Sequence, residues 1–202
     1  FEHPRAEQAF AEARYFVHYL RGEVAAAHEA AARLLGMVRR IDDHQIRLAA
    51  TQLVLDLYLH TGELDTAARL LDETAEHAGS GLHAVLVAKR AWLERARGQP
   101  RQALALLDGA AARARIEDEV VAAWVGAAAA LDLGDAADAG RRLEAVDITD
   151  EHTVDALAML LVQRLRLAQV RGTDDDAARQ RAMQLLVRAP ALEAALLRQA
   201  LG

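Results

Sequence analysis

Gly81–Ala112, GLHAVLVAKRAWLERARGQPRQALALLDGAAA, reads as two amphipathic helices interrupted once, at Gly98-Gln99-Pro100. Before the break Val85, Ala88, Trp92 and Arg95 recur at three- and four-residue steps. After it Ala103, Leu107, Ala110 and Ala114 do the same, so each half carries a stripe along one helical face. A short helix cannot bury its stripe alone, and two such helices joined by a tight turn still leave apolar surface open. The pair must stack on neighbours.

The rest of the chain supplies them. Gly22, Gly62, Gly98, Gly134 and Gly172 each close one helical run and precede another, at spacings of 40, 36, 36 and 38 residues. An alanine stands five residues after each glycine (Ala27, Ala67, Ala103, Ala139, Ala177), and a leucine four later in three copies (Leu71, Leu107, Leu143). Glycine tolerates the positive φ that ends a helix, and the small alanine lets the next helix pack closely.

Composition agrees. The 202 residues are 53% hydrophobic and 27% charged, enough to bury a sizeable core, and the dominant Ala, Leu, Arg and Glu are good helix formers; aromatics are only 4%. The class is all-α. The net charge of −6 argues against direct nucleic-acid contact by this segment, which would need a basic face. Zero cysteines exclude disulfides and thiolate chemistry. With neither a signal-like start nor a long apolar run, a cytoplasmic chain without membrane contact is expected. Beginning at Phe1 without Met, it reads as a segment of something larger.

This pattern resembles the tetratricopeptide repeat (TPR), whose period is about 34 residues. With the turn glycine at position fifteen, the family's position eight is held by Tyr15, Leu55, Ala91, Ala127 and Leu165, and its position twenty by the five alanines. The aromatic of position eleven is kept only as Tyr58, and the proline that usually follows the second helix is missing from most copies. Degenerate repeats of this kind look like the sensor regions of large bacterial transcriptional activators of the maltose-regulon (LuxR) type. The resemblance implies a right-handed α-solenoid: one superhelical domain over 1–202, with repeats at about 4–40, 43–78, 81–115, 117–147 and 151–188. A helix from Pro190, at 190–201, caps the stack with Leu192, Leu196 and Leu197. Gly79-Ser80-Gly81 is the most flexible connection but too short to separate domains.

In the resembled family the first helices of the pairs line a concave groove. The matching positions here are Glu12, Phe16 and Tyr19; Gln52, Asp56 and Leu59; Ala88, Trp92 and Arg95; Trp124, Ala128 and Leu131; and Val162, Arg166 and Gln169. Aromatics and arginine on such a face are what binding hot spots are made of, although both tryptophans could equally pack between helices. Glu12 and Asp56 toward the N-terminal end and Arg95 and Arg166 further on suggest a ligand with a preferred direction, its acidic end over the later repeats. The alternative is that these charges pair with neighbouring helices.

Sites of chemistry are poorly supported. The eight histidines form no H-E-x-x-H pair, Ser80 lacks the setting of a nucleophile elbow, and Asp174-Asp175-Asp176 is better explained as helix capping than as a cation site. No catalysis, cofactor or metal is expected. The sequence therefore points to a protein- or peptide-binding module, first as the interaction or sensor region of a larger regulator and second as a stand-alone scaffold. A small-molecule binder or enzyme using the aromatic groove comes third, and association with further copies of the chain is left open.

Overall fold

The computed structural model describes residues 4–75, 83–110, 116–147, 149 and 153–202, and the elements among them are all helices. These are α1 (Pro4–Arg21), α2 (Val24–Val38), α3 (His44–Thr61), α4 (Leu64–Ala75), α5 (His83–Ala96), α6 (Pro100–Ala110), α7 (Ile116–Asp132), α8 (Ala136–Glu144), α9 (Val154–Arg171), α10 (Asp176–Leu185) and α11 (Ala191–Leu201). None of the helices among the described residues is long and apolar enough to cross a membrane.

Packing divides the chain into two compact units, Phe1–Ala78 and Gly79–Gly202. A single superhelix was the expectation; the boundary between the units falls at the Gly79-Ser80-Gly81 connection, which lies outside the described residues. In the first unit α1 packs on α2, α2 on α3 and α3 on α4. In the second, α5 packs on α6 and α7, α7 on α6, α8 and α9, and α9 on α8, α10 and α11. Each first helix of a pair thus touches its own second helix, and α5, α7 and α9 lie side by side.

All five turn glycines adopt left-handed backbone, with φ between 63° and 79°. The residue after each glycine donates its N–H to the carbonyl five residues back: Glu23 to His18, Glu63 to Tyr58, Gln99 to Glu94, Asp135 to Ala130 and Thr173 to Ala168. This Schellman closure satisfies carbonyls that a helix end would otherwise leave open. At Gly98 (φ 78°) an added Cβ would meet nothing within 4 Å, so backbone conformation alone demands glycine there.

The small residues after the turns do what their spacing suggests, with one correction. Ala27, Ala67, Ala103 and Ala139 are fully buried, but Ala177 is exposed and its neighbour Ala178 is buried instead. The fifth turn is longer. Asp135 caps α8 directly after Gly134, whereas α10 is capped by Asp175, three residues after Gly172, so its inward face shifts along the chain. The five residues at position eight, from Tyr15 to Leu165, are all buried.

The last helix closes the second unit. Leu197 and Ala200 of α11 join Leu157, Leu161 and Leu165 of α9 and Ala182 and Leu185 of α10 in one core. Burying one leucine is worth roughly 1.5–3 kcal/mol, so α11 stabilises the end of the stack appreciably. Leu192 and Leu196 are only half-buried, and Pro190 stands at the N-cap of α11 with extended ψ rather than at its first helical position.

Candidate functional site

The first-helix face of Gly79–Gly202 carries Trp92 and Trp124. Both indoles are buried, at 6% and 2% exposure, and meet edge-to-face with ring centroids 4.7 Å apart. Around them Ala88, Ala91, Ala127 and Ala128 are buried, and side chains this small leave room between α5 and α7 for two large rings. Lys89 Nζ lies 5.3 Å from the Trp92 ring centroid, within cation–π range. The tryptophans therefore belong to the core and offer no aromatic surface to a ligand.

What remains accessible here includes exposed Leu133 and Val170 and a polar cluster. Asp132, near the end of α7, receives Arg95 of α5 (Nε to Oδ2 2.7 Å, Nη2 to Oδ1 3.3 Å) and Arg166 of α9 (Nη2 to Oδ1 3.2 Å). Arg166 also donates from Nη1 to Oε1 of buried Gln163 at 2.9 Å. Two guanidinium groups thus share one carboxylate, so these three side chains together carry one net positive charge on a chain whose net charge is −6. The side chains of Arg95, Asp132 and Arg166 keep 22%, 30% and 36% of their surface open to water. Nearby, Leu131 is half-buried, Val162 is buried, and Gln169 donates to the Ala200 carbonyl of α11. The two arginines therefore pair with a neighbouring helix, as the alternative to a free directional charge pattern required.

In the first unit the six inferred groove residues do not form a comparable patch. Glu12 accepts from Gln8 of its own helix, and Tyr19 is buried with its ring stacked on Tyr15, 5.8 Å between centroids. Leu59 is buried, Gln52 and Asp56 are half-buried, and Phe16 alone of the four inferred groove aromatics is exposed. Tyr15 donates its hydroxyl to the Leu53 carbonyl, tying α1 to α3, and burial, reinforced by Glu63, raises the pKa of the Tyr58 phenol.

Other polar groups serve local structure. Asp175 accepts the Ala178 N–H at 2.9 Å, so the acidic run includes a helix cap, and Asp43 caps α3 in the same way. His18 pairs with Glu23, and His28 with the Thr61 hydroxyl. No group of three or more His, Cys, Asp or Glu able to hold a metal occurs among the described residues. His3, His77, Ser80 and His152 lie outside them. A second ionic cluster joins α6 and α8: Arg142 donates to Asp108 (2.7 Å) and Asp138 (2.8 Å), and Arg141 to Asp138 (2.9 Å). Burial alone would push the Asp138 carboxyl up, but Arg142 and Arg141 outweigh it and hold its pKa below the ordinary 3.8.

Asp132 was missed in the sequence, yet a signal was there. It stands 37 residues after Arg95 and 34 before Arg166, about one repeat from each, and oppositely charged residues one repeat apart meet across stacked helices. No known protein family matches the chain, and no curated protein or solved structure is detectably similar to it.

Proposed function

We propose that this chain is a non-catalytic TPR-like repeat module, the interaction or sensor part of a larger regulatory protein, and that it binds an acidic protein segment on the first-helix face of Gly79–Gly202. The observation that carries the reading is the convergence of Arg95 and Arg166, from helices on either side, on the single carboxylate of Asp132. A ligand carboxylate approaching this face meets two arginines that are already held in place and share one carboxylate, and the N–H groups they do not spend on Asp132 and Gln163 can make charge-assisted hydrogen bonds to it. The repeated glycine-closed helical pairs support the TPR-like assignment, as does the side-by-side packing of the first helices α5, α7 and α9 within Gly79–Gly202. With the tryptophans in the core, recognition rests on charge and is sensitive to salt.

The test is fluorescence anisotropy with labelled acidic, basic and neutral peptides at low and high ionic strength. Acidic peptides should bind, salt should weaken them, and Arg166→Glu should reduce affinity at least about tenfold, equivalent to about 1.4 kcal/mol. Equal binding of all three peptide classes, or acidic binding indifferent to both Arg95→Glu and Arg166→Glu, would remove the basis for the proposal.

A further inference from the structure

Of the large hydrophobic side chains exposed among the described residues, four lie on α1: Phe10 at 67%, Phe16 at 43%, Val17 at 43% and Leu20 at 51%. Phe10, Val17 and Leu20, with exposed Ala13, form one stripe at steps of three, four and three residues. The internal repeat shows what such a stripe is for. Counting back from each turn glycine, the counterparts of Val17 are Leu57, Leu93, Ala129 and Leu167, and all four are buried. The counterparts of Phe10 are Ala50, Leu86 and Leu160, all buried, and half-buried Ala122. At the positions of Phe10 and Val17 the stripe is open on α1 where the other first helices of the pairs bury theirs wholly or in part, whereas the counterparts of Leu20 are half-buried His60 and exposed Ala96, Asp132 and Val170; beside the stripe a notch of about 420 Å³ runs between α1 and α2.

We infer that this face is a homodimer interface, in which α1 packs antiparallel against α1 of a second copy. Three features select a second copy. The spacing of Phe10, Ala13, Val17 and Leu20 is that of the a and d positions of two heptads, the seam along which helices pair. It also reads the same in both directions about Tyr15, so a two-fold axis there sets Phe10 against the partner's Leu20 and Ala13 against the partner's Val17. On one flank of the stripe stand Glu7 and Arg21, both exposed and near opposite ends of α1. Antiparallel pairing brings Glu7 to the partner's Arg21 and Arg21 to the partner's Glu7, two ion pairs from one symmetry operation. At the centre of that flank the two copies of Arg14 approach each other, and both Glu29 and Arg33 of α2 border the same notch, so the end pairs of Glu7 and Arg21 carry the charge complementarity.

Sedimentation velocity across a micromolar dilution series tests this. The wild-type chain should run at twice its 21.9 kDa. Val17→Asp should halve that mass while leaving helicity and melting unchanged apart from the lost dimer, because Val17 is already open to solvent in one copy. Glu7→Arg and Arg21→Glu should each shift the equilibrium toward monomer at low salt, and the double variant should restore the dimer. A wild-type chain that stays monomeric, including one whose α1 face instead takes a helix of another protein, overturns the inference. So does a dimer indifferent to Val17→Asp, and a double variant no better than either single one refutes the antiparallel register. None of these readouts involves Arg95 or Arg166, so acidic-peptide binding succeeds or fails separately.

Discussion

Trp124→Ala removes the largest fully buried side chain among the described residues, from a position where only 2% of it meets water. Truncating a core tryptophan to alanine costs about 3–5 kcal/mol, combining lost transfer free energy with the cavity left behind. Part of that is specific to the indole pair: an edge-to-face contact at 4.7 Å contributes about 0.5–1.5 kcal/mol beyond buried area. The buried alanines around the site cannot swing in to fill the space, so the upper half of the range applies, about 4 kcal/mol. A unit the size of Gly79–Gly202 loses roughly 0.25 kcal/mol of stability per degree near its midpoint, so the melting temperature should fall by about 15 °C. Circular dichroism melts, supported by urea titrations, measure this, and a double-mutant cycle with Trp92→Ala should return a coupling near 1 kcal/mol. The reasoning fails if Trp124→Ala melts within about two degrees of wild type or loses peptide binding while keeping its stability, because the indole would then be serving a ligand.

Gly98→Val should cost about 1 kcal/mol or more through φ strain alone, and Gly98→Asn distinctly less, since asparagine tolerates left-handed backbone; equal melting temperatures for the two variants would refute that cause. Deleting residues 190–202 should uncover Leu157, Leu161 and Leu165 and lower stability, read as a reduced urea midpoint and increased binding of a hydrophobic dye. Because the folded pKa of Asp138 lies below its ordinary 3.8, its stabilising contribution is present above that value and lost as pH falls through the folded pKa. Asp138→Asn should therefore destabilise the chain near neutrality, with the gap to wild type closing in acid below 3.8, as urea titrations over a pH series would show.

The helical pairs were legible because their punctuation is local. A glycine that must adopt positive φ and an alanine that must fit under the preceding helix leave fixed marks, and observed boundaries fall within a few residues of those the pattern predicts. The shift from Ala177 to Ala178 escaped because Asp174, Asp175 and Asp176 can each cap a helix, and only the folded turn selects Asp175. The candidate site was half legible. Positions that line a groove in the resembled family do converge at Arg95 and Arg166, but Trp92 and Trp124 sink between α5 and α7 because alanines surround them, and helix spacing is a property of the packed pair. The carboxylate that organises the arginines belongs to Asp132, which follows the groove position Leu131 and is not itself one of those positions. The first unit's open face on α1 became visible only by comparing burial of equivalent residues, which no sequence pattern supplies.

The division of aromatic residues between the units has a spectroscopic consequence. All three tyrosines, Tyr15, Tyr19 and Tyr58, are buried in Phe1–Ala78, and both tryptophans are buried in Gly79–Gly202. Light at the red edge of indole absorption excites the second unit alone, whereas shorter wavelengths are absorbed by both units, so the first unit's phenols are read as the difference between the two. The unmodified chain carries a separate optical label in each half. Whether the halves lose their structure together or in turn can be watched in one cuvette, as one superimposed transition or two.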